Sequence, residues 1–176
     1  MDTQKEIQAF AGHLANHYTP FFDVYRDEVI ADFPLTFLAI YRRRDERYMI
    51  TKKIKVYGVE NQQIVFTTCC FDELDIAFFK KLQDAMEKTV KEYIPEHEEH
   101  MSTVVLGIVV VNQKVDEKLL KEVRRFRKLK LLKFGFHGWL EMYWVLINLW
   151  NHSITIHPKG KPFISSIKKI LKEDGN

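Results

Sequence analysis

The chain has 176 residues, of which 46% are hydrophobic and 29% are charged, and its formal net charge is +3. This composition is too apolar for a disordered segment and long enough to bury a core, so we predict a single domain over residues 1–176. The net charge is also too small to mark the whole chain as a nucleic-acid-binding protein.

Three features of the sequence predict a cytoplasmic protein with no membrane association. Cys69 and Cys70 are adjacent, and neighbours on a strand point to opposite faces, so a disulfide between them would be strained. The N-terminus is acidic and polar, unlike a signal peptide. The longest apolar stretches, residues 104–111 and 139–149, are too short to span a bilayer.

The first half of the chain predicts helices around a small meander. Apolar residues recur at helical spacing from Ile7 to Tyr18, and Asp2 or Thr3 can cap this helix. Three strands with polar turns between them follow, over residues 35–41, 48–57 and 64–70. A helical stripe then runs from residue 72 to residue 95, and the β-branched run 103–111 is typical of a strand buried on both faces.

The second half predicts a similar order of elements. Asp116 can cap a helix that has Leu119, Leu120, Val123 and Phe126 on its inner face. Residues 128–136 alternate with a change of phase, which indicates a strand with a β-bulge, and strands over 139–149 and 153–157 follow it. A last amphipathic helix closes the order α-βββ-α-β-α-βββ-α. We therefore predict an α+β fold with a mostly antiparallel sheet and helices packed on it.

The strand over residues 139–149 is apolar on both of its faces. Tyr143 and Val145 lie on one face, whereas Met142 and Trp144 lie on the other. Such a strand is covered either by helices on both sides or by a second copy of the chain. The second alternative is the basis for the hypothesis of a homodimer.

Basic residues concentrate in two segments, whereas residues 73–99 between them are acidic. The candidate binding residues are Arg42, Arg43 and Arg44 in the first segment and Lys121, Arg124, Arg125 and Lys128 in the second. Lysine and arginine attract phosphate and carboxylate groups, so we predict a face that binds an acidic protein or a nucleic acid. The alternative is a solvated helix face that covers the core and binds nothing.

No motif in the sequence predicts catalysis or a bound cofactor. Neither G-x-x-x-x-G-K-[ST] nor G-x-G-x-x-G is present, which argues against nucleotide enzymes of those kinds. His137, His152 and His157 stand near no serine or cysteine of a known nucleophile motif. Cys69 or Cys70 is either a thiol nucleophile beside one of these histidines or a buried strand thiol. We expect no catalytic residue.

One cluster holds potential metal ligands. His97 and His100 stand three residues apart and can share a helical face with Glu96. The spacing is not that of H-E-x-x-H, and a polar helix end explains the cluster equally well. The alternative function is a metal-dependent phosphodiesterase that uses Glu28, Glu60 or the two histidines.

Three stretches carry a resemblance to a known family. They are HMST at residues 100–103 before an apolar strand, FGFHGW at residues 134–139 and KGK at residues 159–161. The sequence resembles a family of uncharacterised small prokaryotic proteins over nearly its whole length. This resemblance implies no activity and assigns no functional residues.

The order helix, three strands, helix, strand is similar to that of restriction-endonuclease-like nucleases. Those enzymes need a carboxylate on the second strand and Glu-x-Lys on the third to hold Mg²⁺. The predicted third strand, residues 64–70, contains no carboxylate and no Glu-x-Lys. The resemblance therefore implies at most a non-catalytic relative, and the function predicted here is a non-enzymatic binding or regulatory module.

Overall fold

A computed structural model describes residues 2–45, 59–94, 100–132 and 138–175. Its elements, in chain order, are α1 (Thr3–Tyr18), β1 (Asp23–Arg26), β2 (Val29–Ile30), β3 (Phe33–Pro34), β4 (Phe37–Asp45), β5 (Val59–Cys69), α2 (Ile76–Tyr93), β6 (His100–Val111), α3 (Glu117–Arg125), β7 (Arg127–Leu131), β8 (Trp139–Asn148), β9 (Ser153–Ile156), a 3₁₀ helix (Pro158–Ile164) and α4 (Ser165–Asp174). The predicted α+β class is confirmed, and the observed order is close to the predicted one.

The main sheet has the strand order β1-β4-β5-β6-β8-β7, and β9 also pairs with β8. Most of its strand pairs are antiparallel, as predicted. The centre of the sheet differs from the predicted antiparallel arrangement, because β5, β6 and β8 run parallel to one another. Parallel strands are buried on both faces and read as continuous apolar runs, which explains the β-branched sequence of β6.

Helices cover both faces of this sheet. α2 and α3 pack on one face, whereas α1 and α4 pack on the other. On β6, Val105 faces the first pair of helices and Leu106 faces the second. Gly107 lets α2 approach closely, since a Cβ there would lie 2.7 Å from Met86 Cε. Within the described residues, no helix is both long and apolar enough to cross a bilayer.

β8 carries the two apolar faces that its sequence predicts. Tyr143 and Val145 contact the layer of α1 and α4, and Met142 and Trp144 contact the layer of α2 and α3. Helices of the same chain therefore bury both faces. This removes the reason for the homodimer hypothesis, which stays an untested prediction.

The first predicted meander differs from the structure. β4 pairs directly with β5, and Asp45 lies opposite Val59. Residues 59–62, in the polar turn expected between the predicted strands 48–57 and 64–70, instead belong to β5, because ladder hydrogen bonds join backbone groups whatever the side chains are. The predicted strand over residues 48–57 lies outside the described residues.

The chain between α1 and β4 holds two features that the sequence pattern does not predict. β1 pairs with β4 at the edge of the sheet, and β2 and β3 form a small hairpin. Asp27, Ala31 and Asp32 adopt positive φ angles of 55°, 43° and 65° in the turns. The β2–β3 turn, Ala31-Asp32, lacks the Asn-Gly or Asp-Gly pair that marks a tight hairpin, so the sequence pattern does not predict it.

α2 begins later than predicted. Asp75 caps it by accepting a hydrogen bond from the Phe78 N–H at 2.9 Å, so the helix starts at Ile76 and not at Asp72. An aspartate at this position satisfies an N–H group that has no partner within the helix. Of the two candidate caps of α1, Asp2 and Thr3, the structure has Asp2, and the cap Asp116 predicted for α3 is confirmed.

β7 and β9 lie end to end along one side of β8. β7 pairs with residues 139–143, and β9 pairs with residues 145–148. β7 ends at Leu131, whereas the predicted strand continues to residue 136, and residues 133–137 lie outside the described residues. The whole of β7 is therefore at the edge of the sheet.

Candidate functional site

The two predicted basic clusters lie on opposite flanks of the sheet. Arg42, Arg43 and Arg44 belong to the end of β4, whereas the second cluster lies on α3 and β7. Arg42 occupies the same row of the sheet as Lys130, four strands away, through the pairings of β4, β5, β6, β8 and β7. At the usual strand spacing this is about 19 Å. The structure does not bring the clusters together.

Two of the four cations of the second cluster, Arg124 and Lys128, are paired with carboxylates. Arg124 forms an ion pair with Glu117 at 2.7 Å, and both side chains are well exposed. Such a pair contributes little to stability but lowers the positive charge that α3 presents. Lys121 and Arg125 are exposed on the same helix, and no ion pair joins them to any described residue. The charge of α3 is therefore smaller than the sequence suggests.

Lys128, the last of the seven candidate binding residues, lies at a different site. Lys128 lies opposite Met142 on β8, and Lys130 lies opposite Leu140. Directly opposite residues share a face of the sheet, so both lysines lie on the face that α2 covers. Lys128 Nζ donates a hydrogen bond to Glu87 Oε1 at 2.6 Å. This ion pair joins α2 to β7.

A cavity of about 470 Å³ lies between α2 and β7, and we call it the α2–β7 groove. Its apolar side is formed by Val90, Ile94, Leu140 and Met142, and its charged side by Asp84, Glu87, Lys88, Lys91, Lys128 and Lys130. Helical residues three or four apart share a face, which places the charged residues of α2 along the groove. Four lysines against two carboxylates make it a positive groove with an apolar floor.

The electrostatics of the groove centre on Glu87. Burial by itself raises the pKa of Glu87, but hydrogen bonds from Lys128 and Gln83 and the nearby charge of Lys91 outweigh it, so the net pKa is lowered. The Glu87 carboxylate therefore stays ionised and paired. Within the described part of the chain, Lys88, Lys91 and Lys130 form no ion pair. Their ammonium groups are available to an anionic ligand.

Sequence reasoning finds Lys128 but misses the rest of this groove. Lys88 and Lys91 lie in the acidic segment, where the sequence suggests only that they balance its carboxylates. Their spacing of three residues is a signal that they share a helix face. The strand that this face meets comes from a distant part of the chain, so the groove that these lysines share with Lys130 appears only in the structure.

A second polar cluster, also unpredicted, lies on the other face of the sheet. The Tyr143 hydroxyl donates to Glu141 Oε2 at 2.5 Å and accepts from Arg127 Nε at 3.1 Å. Arg127 also forms an ion pair with Glu141 at 3.4 Å. Burial and the hydrogen bond to Glu141 raise the pKa of Tyr143, so the phenol keeps its proton. The cluster fastens β7 to β8.

The two cysteines are free thiols in unreactive surroundings. Burial is the main reason why the pKa of each thiol is raised. Thr36 Oγ1 donates to Cys69 Sγ at 3.3 Å, and Cys70 Sγ donates to the Asp72 carbonyl at 3.4 Å. A raised pKa leaves little thiolate, and the thiolate is the nucleophile. The structure favours the interpretation as structural thiols: Cys69 is half-buried at the end of β5, and Cys70 is buried just after it.

The candidate metal ligands fall partly outside the described residues. Glu96 and His97 lie outside the described residues, and the backbone places His100 and Glu60 at paired positions of β6 and β5. Glu28 lies exposed in the turn between β1 and β2. Among the described residues, no group of three or more histidine, cysteine or acidic side chains is placed to hold a metal ion. The phosphodiesterase alternative stays a prediction.

Comparison with known proteins identifies a family for nearly the whole chain. A family model described as a domain of unknown function (DUF8052) matches residues 6–169. No curated protein and no solved structure matches the chain significantly. The resemblance to an uncharacterised family is thereby confirmed, whereas a restriction-endonuclease-like fold is not.

Proposed function

We infer that this chain, which belongs to the family described as a domain of unknown function (DUF8052), is a non-catalytic binding module whose α2–β7 groove receives an acidic segment of a partner protein. The observation that carries this proposal is the groove itself. Lys88, Lys91 and Lys130 surround an apolar floor without a carboxylate partner of their own in the described chain. Such cations attract a negatively charged partner and orient it.

The lining of the groove favours an acidic protein over a nucleic acid. The described residues around the groove include no aromatic side chain on which a base can stack. Asp84 and Glu87 stand among the lysines, and a continuous row of phosphates would meet their negative charge. The apolar side chains of Leu140 and Met142 on the floor also offer no hydrogen bond to the edge of a base.

The test is a salt-titrated fluorescence anisotropy assay on the full chain. The probes are a labelled peptide of glutamate and valine, single-stranded DNA and single-stranded RNA. We expect the peptide to bind, with an affinity that falls as salt rises. Lys91→Glu and Lys130→Glu should each weaken this binding by about tenfold.

Two control variants locate the binding surface. Lys172→Glu changes an exposed lysine of α4 on the opposite face, and we expect no effect on the peptide. Arg125→Glu tests the outer face of α3 in the same way. Absence of peptide binding at low salt, equal losses in all four variants, or stronger binding of DNA or RNA than of the peptide would each overturn the proposal.

A further inference from the structure

β7 offers unpaired backbone groups along its outer side. The Leu132 N–H donates to the Gly138 carbonyl at 2.9 Å. Hydrogen-bonded pairs alternate along an antiparallel ladder, so Lys130 and Lys128 also bond to β8 through their backbones. The N–H and C=O groups of Arg127, Leu129 and Leu131 consequently point away from β8. No described strand pairs with them there.

The side chains of β7 alternate in character as well. Lys128 and Lys130 lie on the face of the α2–β7 groove. Leu129 and Leu131 lie on the opposite face, where they are 50% and 60% exposed. Trp139, opposite Leu131 on β8, adds an apolar surface that is 38% exposed. An extended chain beside residues 128–131 would thus meet ammonium groups on one face and apolar side chains on the other, and Arg127 at the start of that second face is already paired with Glu141.

We propose that an extended segment of a partner protein, with alternating acidic and apolar residues, adds to the sheet as a strand along the outer side of β7. This inference rests on the proposed function and specifies how the acidic segment binds. Its backbone pairs with Arg127, Leu129 and Leu131, and its carboxylates lie on the face of Lys128 and Lys130. Strand addition takes affinity from backbone hydrogen bonds and specificity from alternate side chains.

The charge of β7 selects such a partner over a second copy of the chain. Antiparallel pairing of β7 with β7 of another copy would place lysines beside lysines on one face, and like charges directly opposite are destabilising. Lysines on an edge strand deter this kind of self-association. Carboxylates of an acidic strand would attract these lysines instead. The lysines that disfavour pairing with a second β7 therefore favour an acidic partner.

The experiment compares peptides whose composition is the same. One alternates glutamate and valine, one groups the glutamates in a block, and two carry N-methyl groups on every second amide, in the two possible registers. We expect the block peptide and one N-methyl register to bind the full chain about tenfold more weakly than the alternating peptide. The other register should bind like the parent, because its methylated amides face away from β7.

Hydrogen exchange gives a second readout that does not depend on a protein variant. Binding of the alternating peptide should slow exchange of the Leu129 and Leu131 amides, which point outward. The Lys128 and Lys130 amides already bond to β8 and should change little. A change confined to residues of α2 would contradict strand addition.

The outcomes separate this inference from the proposed function. Equal affinity of all four peptides, weakened by Lys130→Glu, would overturn strand addition and leave the acidic-segment function standing. Failure of every peptide to bind would overturn both. A concentration-dependent dimer in light scattering that Leu129→Glu abolishes would assign the outer side of β7 to a second copy and overturn the inference.

Discussion

At the scale of single residues, two buried tyrosines differ in what surrounds their hydroxyl groups. The Tyr143 hydroxyl bonds to both Glu141 and Arg127. The Tyr18 hydroxyl is buried and meets no hydrogen-bonding partner among the described residues. Burial raises the pKa of both phenols. A buried hydroxyl stabilises the fold only where it is hydrogen-bonded. Removal of the hydroxyl oxygen should therefore change stability differently at the two tyrosines.

Tyr143→Phe should lower the free energy of unfolding by about 1–3 kcal/mol, because it leaves partly buried Glu141 and Arg127 without their shared partner. Tyr18→Phe should be neutral or stabilising, since it removes a polar atom that is buried without a hydrogen bond. Urea unfolding of both variants measures this difference. Tyr25→Phe, at an exposed position, is the control. Equal losses for Tyr18→Phe and Tyr143→Phe would contradict the assignment.

At the scale of elements, α2 is both the acidic helix of the sequence and one wall of a positive groove. Its carboxylate Glu87 binds Lys128 of β7, while its lysines Lys88 and Lys91 face the same groove. The helix is thus tied to the edge strand that the proposed partner would extend. The strength of the Glu87–Lys128 ion pair depends on the charge of Glu87, so this contact between α2 and β7 is sensitive to pH.

The Glu87–Lys128 pair should stabilise the fold only above acidic pH. The pKa of Glu87 in the folded chain is lowered from its ordinary value of 4.5. Its contribution is therefore complete above that value and is lost as pH falls through the folded pKa. With 32% and 47% of the two side chains exposed, we expect at most about 1 kcal/mol.

Urea unfolding at neutral pH and at pH values below the ordinary pKa of glutamate measures this contribution. Glu87→Gln should lower stability at neutral pH and match the wild type in acid. Glu92→Gln, at an exposed position of the same helix, should differ little from the wild type at either pH. A Glu87→Gln deficit that persists unchanged in acid would show that the ion pair is not its cause.

At the scale of the whole molecule, polar side chains cover the carboxyl ends of the parallel strands β5, β6 and β8. Buried Asn148 donates to the Gln113 carbonyl at 2.7 Å and accepts from the Gln113 and Trp150 N–H groups. The Gln113 side chain bonds in turn to Leu74 and Asp72 beyond β5. Ligands of open α/β sheets often bind at this end, whereas here the polar groups are used to join the strands.

Asn148→Ala should therefore destabilise the molecule by about 2–3 kcal/mol, because it leaves backbone groups of two loops unpaired where three strands meet. Thermal or urea unfolding, followed by circular dichroism, measures the loss. Asn151→Ala changes an exposed asparagine in the neighbouring turn and should cost much less. Comparable losses for the two variants would show that the hydrogen bonds of Asn148 are not important for joining the strands.

Features that depend on neighbours along the chain could be predicted from the sequence. Helical spacing and an N-terminal aspartate located α1 and α3, and the β-branched run of β6 showed a strand buried on both faces. Family membership was also readable from local stretches. Three features appear only in the folded chain: the parallel centre of the sheet, the edge position of β7, and the groove that Lys88 and Lys91 share with Lys130. Periodicity and capping are local, whereas strand order and register depend on contacts between residues far apart in the chain.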